Sequence, residues 1–300
     1  CDAIKFQMHV LDNEMLRDVP TSDNFDEPLY ETLNNTELTL DEHKQLKILC
    51  ENLGIDYLCT PFSAAAADIL DKELDLKAFK TGSGELTNIP LLKHIASKGR
   101  PMIISTGMAL IEEIQETVDA IKETGTPFAL THCVSAYPTP YNRVNLHNIP
   151  RYRELFDVPV GLSDHSIGIY TAIGSVALGA SIIEKHFTLD KLQSGPDHPV
   201  SLEPYDLGEL VKGCCAVFEA RGAKREIFPE EEPIIAWARE SVVSEIEIKA
   251  GTKITKDMVW VKRPSPGLGA IPAKELDKVI GMTTKVDISK DKQILWEELS

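Results

Sequence analysis

Hydrophobic and polar positions alternate in blocks along most of the chain. Short apolar runs such as AIKFQM (3–8), PMIIST (101–106) and FALTHC (128–133) are each followed by a longer segment with apolar residues at helical spacing. Residues 41–53 show that spacing and end at Gly54, a common helix stop. Strand-like runs that are apolar throughout are typical of parallel strands buried on both faces. The alternation therefore predicts a parallel sheet with helical crossovers.

The pattern favours a barrel over a doubly wound sheet. Seven strand-like segments precede residue 190, and polar residues follow nearly every one of them. A (β/α)8 TIM barrel carries its site at the C-terminal ends of its strands, which explains that distribution. Because Cys1 already lies in a strand-like run, we expect the first barrel strand to lie upstream of this sequence. Residues 1–220 are thus predicted to form a barrel domain.

The pattern changes after residue 220. The charged, proline-containing stretch RGAKREIFPEEEP predicts a linker over 221–238. From residue 239 the apolar segments shorten, which predicts a small β-rich domain over 239–300. That domain carries its own polar cluster, Lys262-Arg263-Pro264, followed by a loop rich in glycine and proline.

Composition narrows the classes of partner. The formal net charge of −16 argues against nucleic acid or an anionic membrane, which are bound through basic surfaces. No apolar run approaches the roughly 18–20 residues of a membrane span, and no signal-peptide pattern opens the chain. The six cysteines include no CxxC pair. These features predict a cytoplasmic protein with reduced thiols.

The polar residues at the predicted strand ends suit an anionic ligand. Lys5 and Lys80, several hydroxyl groups and the turn Gly82-Ser83-Gly84 are what a phosphate or a carboxylate requires. The same turn also occurs as a plain connector. Glu85 beside it could act as a general base, or could simply form a salt bridge with Lys80.

Two histidines follow successive strands in similar contexts, His165 in SDH and His186 in EKH. Two imidazoles with open remaining positions suit a divalent metal such as Mn²⁺, Zn²⁺ or Fe²⁺. The alternative is that one or both are hydrogen-bonded structural histidines. His132 is expected in the polar wall rather than as a ligand. Four further histidines are expected at the surface or in loops: His9, His43, His94 and His147.

Nine short motifs occur in order along the chain: KFQ (5–7), TPF (60–62), KTGSGELTN (80–88), STGM (105–108), HCVSAYPTP (132–140), GLSDHS (161–166), EKHFTLD (184–190), GPDH (195–198) and VKRP (261–264). Together they resemble the sialic acid synthase family, of the N-acetylneuraminate and legionaminate synthase type. The C-terminal segment resembles the antifreeze-like SAF domain. The resemblance implies a barrel followed by that domain, and condensation of phosphoenolpyruvate with an N-acylated mannosamine to give a nonulosonic acid and phosphate.

The resemblance also implies roles for individual residues. Glu85, Lys5 and Lys80 would be catalytic, and His165 and His186 would bind a divalent metal, with Mn²⁺ first and Mg²⁺ or Co²⁺ as alternatives. A larger set would bind the two substrates: Gln7, Asn24, Thr60, Ser83, Ser105, Ser135, Tyr137, Ser163, Glu184, Asp197 and Arg263.

Further expectations come from the family alone. The resemblance implies a domain-swapped homodimer in which Arg263 contacts the N-acyl group of the sugar in the other subunit. Ser135 departs from relatives that carry asparagine near the phosphate. An acidic residue that helps to bind the sugar in the family is expected upstream of Cys1.

Three alternatives stay open at this point. N-acetylneuraminate synthase is the first interpretation, and legionaminate and pseudaminate synthases share the same chemistry with a different sugar. A non-catalytic sugar-binding SAF protein is the alternative of another class. The phosphate- and metal-type residues at the strand ends argue against it.

Overall fold

The computed structural model describes residues 1–17, 28–222, 224–267 and 269–300. The chain divides into two compact units, Cys1–Gly222 and Ala223–Ser300. Each unit has its own buried apolar core.

The first unit contains one parallel sheet whose spatial order follows the sequence. Its described strands are β1 Ala3–Met8, β2 Asp56–Pro61, β3 Phe79–Thr81, β4 Met102–Ser105, β5 Phe128–Cys133, β6 Val160–Asp164 and β7 Ile183–Lys185. Each neighbouring pair is parallel. The sheet is strongly curled, because Lys5 Nζ of β1 lies 3.4 Å from Glu184 Oε1 of β7. The predicted barrel-type fold with sequential parallel strands is confirmed.

Helices connect the strands, as the alternating pattern predicts. Their bounds are α1 Leu11–Glu14, α2 Leu29–Thr36, α3 Leu40–Leu53, α4 Ala64–Leu74, α5 Ile89–Ala96, α6 Ile111–Lys122, α7 Asn148–Phe156, α8 Tyr170–Ala177 and α9 Pro204–Ala220. Helix α3 shows why the sequence signals work. Thr39 and Glu42 form a capping box at its start, and Gly54 ends it in the left-handed conformation at φ 71°.

The core of the first unit lies between the sheet and its helices. Phe79, Ile104 and Leu130 from the strands, with Leu70 and Ile121 from the helices, are fully buried. Burial of each such side chain contributes about 1.5–3 kcal/mol to folding. This core fixes the strands, and thereby the positions of the polar residues at their C-terminal ends.

The second unit is a small β-rich domain. It contains the antiparallel pair β8 Ser241–Ser244 and β9 Val259–Lys262, with helices α10 Glu232–Ala238 and α11 Leu276–Val279. Its core includes Val242, Ile271 and Ile294. Helix α10 lies inside the stretch expected to be a linker. The run of glutamates before Pro233 is a helix-start signal, since acidic residues and an early proline suit a first turn.

Two expectations from composition can be compared with the structure. No helix of the described residues has both the length and the apolar character that crossing a membrane requires. All six cysteines are free thiols.

Candidate active site

The curl of the sheet brings three charged side chains from distant strands into contact. Glu184 on β7 lies 3.4 Å from Lys5 Nζ on β1 and 3.2 Å from Lys80 Nζ on β3. Lys80 is buried, whereas Lys5 and Glu184 keep part of their surface exposed. Two lysines therefore share one carboxylate at the C-terminal ends of the strands, which leaves a local excess of positive charge.

Burial and charge set the ionisation of this group. Burial opposes the charged form of Glu184, but the charges of Lys80 and Lys5 outweigh it and lower the pKa of the carboxyl to about 2. Burial lowers the pKa of Lys80, and Glu184 partly offsets that shift. An anionic ligand would restore charge balance here, since it would share the two lysines with Glu184.

Hydroxyl groups surround Lys80. Its Nζ donates a hydrogen bond of 2.6 Å to Ser105 Oγ, and Ser105 Oγ lies 2.9 Å from Thr131 Oγ1. Thr60 Oγ1 on the neighbouring strand is buried without a hydrogen-bond partner among the described residues. A buried hydroxyl without a partner costs free energy, so Thr60 is ready to bind a ligand or water.

A glycine allows two serine hydroxyls to meet over the backbone. A Cβ atom placed on Gly107 would lie 2.6 Å from Ser83 Oγ and would also overlap Ser135 Oγ. The Gly107 N–H donates to Ser83 Oγ at 3.0 Å. Ser83 and Ser135, both predicted from the sequence, thus lie on either side of a backbone position where only hydrogen fits.

Ser83 and Ser135 at Gly107 form what we call the serine cradle. Glu85 lies next to it, in the short turn Ser83–Glu85 after β3. Its Oε2 is buried without a hydrogen-bond partner in the described part of the chain, and it lies 2.5 Å from where a Cβ on Gly82 would be. Burial raises the pKa of Glu85, and the nearby Glu14 carboxylate raises it further. The structure contains no Glu85–Lys80 salt bridge among the described residues, so the alternative role as a simple ion-pair partner is not supported.

The two predicted histidines face each other across the ends of β6 and β7. Their ring centroids are 5.3 Å apart. His165 Nδ1 lies 2.9 Å from the Val134 carbonyl oxygen, and His186 Nδ1 lies 3.3 Å from Asp197 Oδ2. A carbonyl oxygen only accepts, so His165 carries a proton on Nδ1, and the carboxylate of Asp197 favours a proton on Nδ1 of His186. The Nε2 atom of each ring is then the one that could bind a metal.

The donor set fits a divalent metal as a two-imidazole site. No hydrogen-bond partner of either Nε2 occurs within the described ranges, and hydrogen-bonded Nδ1 atoms are typical of metal-binding histidines. Among those ranges no group of three or more His, Cys, Asp or Glu side chains has metal-binding geometry. His165 and His186 would therefore hold an ion with substrate or water completing its coordination.

An aromatic ring covers the histidine pair. The Tyr137 ring centroid lies 4.1 Å from that of His165 and 5.7 Å from that of His186. Ser163 is buried and is the register partner of Glu184. It therefore lies beside the carboxylate that the two lysines share, two residues before His165. Asp197, predicted as a sugar ligand, also orients His186, and this hydrogen bond lowers the pKa of Asp197.

Sequence reasoning missed the surroundings of His9. This residue was expected at the surface or in a loop, and it lies in the loop after β1, but it is only 7% exposed and stacks on Phe62 with ring centroids 4.5 Å apart. Its Nδ1 lies 2.9 Å from Glu14 Oε2, and its Nε2 lies 3.3 Å from Gln7 Oε1. His9 thereby links Gln7, a predicted sugar ligand, to a carboxylate. The spacing of Gln7 and His9 two residues apart at a strand end, where side chains share a face, was the available signal.

The remaining predictions have different outcomes. The prediction that His43 lies at the surface or in a loop is wrong, because that residue is buried on the inner face of α3 and its Nδ1 lies 2.6 Å from Tyr57 Oη. His132 is buried, and its Nε2 donates to the Val144 carbonyl oxygen, as expected of a wall residue rather than a ligand. Arg263 lies in the second unit, over the Trp237 ring. Asn24 lies outside the described residues.

Comparison with known proteins gives two family matches. Residues 1–226 match the NeuB family, and residues 239–300 match the SAF domain.

Individual relatives extend over most of the chain. It is 39% identical to the N,N'-diacetyllegionaminic acid synthase of Campylobacter jejuni, covering 87% of this chain and 80% of the relative. It is 36% identical to human N-acetylneuraminate-9-phosphate synthase, covering 87% and 72%. The crystal structure of N-acetylneuraminic acid (sialic acid) synthetase from Leptospira borgpetersenii, in complex with citrate, matches with a TM-score of 0.68 and 33% identity, covering 78% of this chain and 79% of that one.

Proposed function

The chain belongs to the NeuB family, and from that premise we propose that it condenses phosphoenolpyruvate with an N-acylated mannosamine-type sugar. The products would be a nonulosonic acid and inorganic phosphate. The observation that carries this proposal is the meeting of two lysines and one carboxylate with a buried glutamate and a histidine pair at one end of the sheet.

Phosphoenolpyruvate would occupy the lysine side of the site. Lys5 and Lys80 would bind its negative charge, and the hydroxyls of Thr60, Ser83 and Ser105 would donate to its oxygens. The Ser135 hydroxyl, which lies near that of Ser83 at Gly107, would be one further donor. Charge stabilisation by fixed groups of this kind lowers the barrier more than the same groups would in water.

The sugar would occupy the histidine side. Tyr137 and Asp197 contact the histidine pair. Gln7 lies on β1, beside His9, and would reach the sugar from there. A divalent ion held by His165 and His186 would supply Lewis-acid polarisation of the aldehyde oxygen of the open-chain sugar. His9 would hold Gln7 in place through its contact with Glu14.

C3 of phosphoenolpyruvate attacks the aldehyde carbon of the sugar, so a carbon–carbon bond forms, the carbonyl π bond breaks and positive charge develops at C2. The former aldehyde oxygen becomes a hydroxyl group, and the proton that it gains is balanced by the proton that the added water later loses. The buried Glu85 carboxylate, positioned beside the serine cradle, stabilises that charge. Water adds at C2 and loses a proton, and the C2–O bond to phosphate then breaks. Lys5 and Lys80 stabilise the departing phosphate, and a 2-keto acid remains.

We further propose N-acetylmannosamine as the sugar, with the legionaminate and pseudaminate precursors as alternatives. Identities of 39% and 36% to relatives named for different sugars support the reaction class without separating the branches.

We also propose a homodimer as the working form, and sedimentation should then give about twice the chain mass of 33.2 kDa.

Product identification tests the choice of sugar. The protein would be incubated with phosphoenolpyruvate, Mn²⁺ and one of three sugars: N-acetylmannosamine, the 2,4-diacetamido-trideoxy mannose analogue, or the corresponding altrose precursor of pseudaminate. Mass spectrometry should identify the product as a nine-carbon keto acid. N-acetylmannosamine should have the highest kcat/KM of the three sugars. A higher kcat/KM with a diacetamido sugar would overturn the proposed branch, and no product with any of the three would overturn the reaction.

A further inference from the structure

A buried ion pair lies directly behind the two histidines. Lys185 Nζ is 3.0 Å from Asp164 Oδ2, and their side chains are 2% and 1% exposed. The two residues are register partners on β6 and β7, and each immediately precedes one histidine, His165 or His186. Burial of two opposite charges costs desolvation energy, which offsets much of their attraction. A buried ion pair is therefore weak evidence that its role is to stabilise the fold.

Strand geometry places this pair on the opposite face from the site. Successive side chains of a strand alternate between faces. Ser163 and Glu184 point to the inner face, where Glu184 meets the two lysines. Asp164 and Lys185, one residue later, point outward, as the contact of Asp164 with Thr171 on α8 shows.

Every oxygen of the Asp164 carboxylate is engaged. Its Oδ1 accepts from the Ser166 backbone N–H at 2.9 Å. Its Oδ2 accepts from Thr171 Oγ1 at 2.7 Å and from Lys185 Nζ. Lys185 Nζ also donates to the Ser166 carbonyl oxygen. The network therefore ties the backbone just after His165 to the side chain just before His186.

A second feature holds the same two strands together. A Cβ on Gly161 of β6 would overlap the carbonyl oxygen of Ile182, so the absence of a side chain permits close approach of the chain that leads into β7. The Leu162 N–H donates to that Ile182 oxygen at 2.8 Å. The Asp164–Lys185 ion pair extends this close contact between β6 and β7 to the ends of the strands, where His165 and His186 follow.

We propose that Asp164 and Lys185 are positioning residues, whose buried ion pair fixes the relative placement of the His165 and His186 rings for a divalent cation. This inference rests on the proposed function, because it requires the histidine pair to bind metal. Neither residue touches substrate or cation. Their effect would be exerted through the backbone of the two strand ends.

The test compares the affinities for Mn²⁺ and for phosphoenolpyruvate in one set of variants. The variants are Lys185→Met, the charge-balanced Asp164→Asn/Lys185→Met, and the milder Thr171→Val, which removes one hydrogen bond to Asp164 and keeps both charges. The matched control is Lys98→Met, because Lys98 forms an ion pair with Asp68 away from the strand ends. Dissociation constants are measured by calorimetry, and folding is checked by thermal melting.

We expect Lys185→Met and the double variant to bind Mn²⁺ about ten- to a hundredfold more weakly than wild type, as loss of groups behind metal ligands does elsewhere. Thr171→Val should give a smaller loss in the same direction. Affinity for phosphoenolpyruvate without metal should stay at the wild-type value in all three, and Lys98→Met should change neither constant. If Lys185→Met does not fold, the other two variants decide.

Two results would overturn the inference. One is wild-type Mn²⁺ affinity in folded variants that lack the ion pair. The other is a parallel fall in both affinities and in melting temperature, which would indicate a purely structural role. A wild-type protein that binds no Mn²⁺ would instead overturn the metal site of the proposed function, and this inference with it.

Discussion

Glu85 has an environment unlike that of a surface carboxylate. Its Oε2 is buried against Gly82 without a hydrogen-bond partner in the described residues, and burial raises its pKa. An unpaired buried carboxyl is costly, so a site that keeps one has a use for it. The sequence placed Glu85 correctly beside the glycine turn, but it could not show that Lys80 pairs with Glu184 instead.

Replacing Glu85 by glutamine should abolish most turnover. Because the charge is lost with little change in shape, kcat should fall at least about a hundredfold, a typical loss for a positioned acid–base or charge-stabilising group. Affinity for phosphoenolpyruvate should remain measurable by calorimetry. Near-normal kcat in the variant would refute the role given to Glu85.

The raised pKa of Glu85 also predicts a pH dependence. A carboxyl whose pKa is raised becomes protonated at a higher pH than an ordinary glutamate, so activity that needs the carboxylate should fall on the acid side earlier. A profile of kcat/KM against pH, which reports the ionisable groups of the free enzyme, should place this acid limb above the ordinary glutamate range. An acid limb within that range would contradict the assignment.

Gly107 offers a second test at the residue scale. In Gly107→Ala, the new methyl group would displace the hydroxyls of Ser83 and Ser135, so KM for phosphoenolpyruvate should rise about tenfold, the equivalent of one hydrogen bond to a charged group. Gly208→Ala is the control, because Gly208 lies on α9 and a Cβ there meets no atom of the described chain within 4 Å. Equal KM values in the two variants would show that the serine cradle does not bind phosphoenolpyruvate.

At the scale of elements, α3 and β2 show what a sequence pattern predicts and what it omits. The capping box and Gly54 mark the ends of α3, and both ends are close to the predicted ones. The pattern does not reveal that His43 faces inward, because one histidine on an amphipathic helix fits either face. Its partner Tyr57 lies on β2, and a contact across two elements is invisible to local periodicity.

His43 should make folding stability depend on pH. Burial lowers its pKa, so the unfolded chain binds a proton near pH 6.5 that the folded chain resists. Stability should therefore fall as pH drops below about 6.5, by up to about 1.4 kcal/mol per pH unit. In His43→Asn, which keeps a side-chain acceptor for Tyr57, denaturant unfolding should show a flatter dependence between pH 5 and 7.

The control for this test is His147→Asn, since His147 is exposed at the start of α7. It should follow the wild-type curve. A His43→Asn curve as steep as that of wild type would show that His43 does not cause the acid sensitivity.

At the scale of the whole first unit, the order of the strands could be predicted and their curvature could not. Alternating strands and helices imply sequential parallel strands. That Lys5 on β1 and Lys80 on β3 would both reach Glu184 on β7 depends on three-dimensional closure. The family resemblance indicated which residues form the site. The contacts of Glu184, Asp197 and His9 could be seen only in the structure.

Glu184→Gln tests this closure. Without the carboxylate, two lysines face each other unpaired, and the free energy of unfolding should fall by about 3 kcal/mol. Phosphoenolpyruvate should then raise the melting temperature of the variant more than that of wild type, because its negative charge replaces the lost one. A smaller ligand-induced shift in the variant would contradict the assignment of both lysines to the anion.

If these strand ends catalyse a condensation dependent on phosphoenolpyruvate, the protein should release inorganic phosphate from it. The purified protein would be given phosphoenolpyruvate and Mn²⁺, with and without an N-acylated mannosamine. We expect phosphate release that requires both the sugar and the metal ion and that is lost in Glu85→Gln. Release without sugar, or none under any of these conditions, would contradict it.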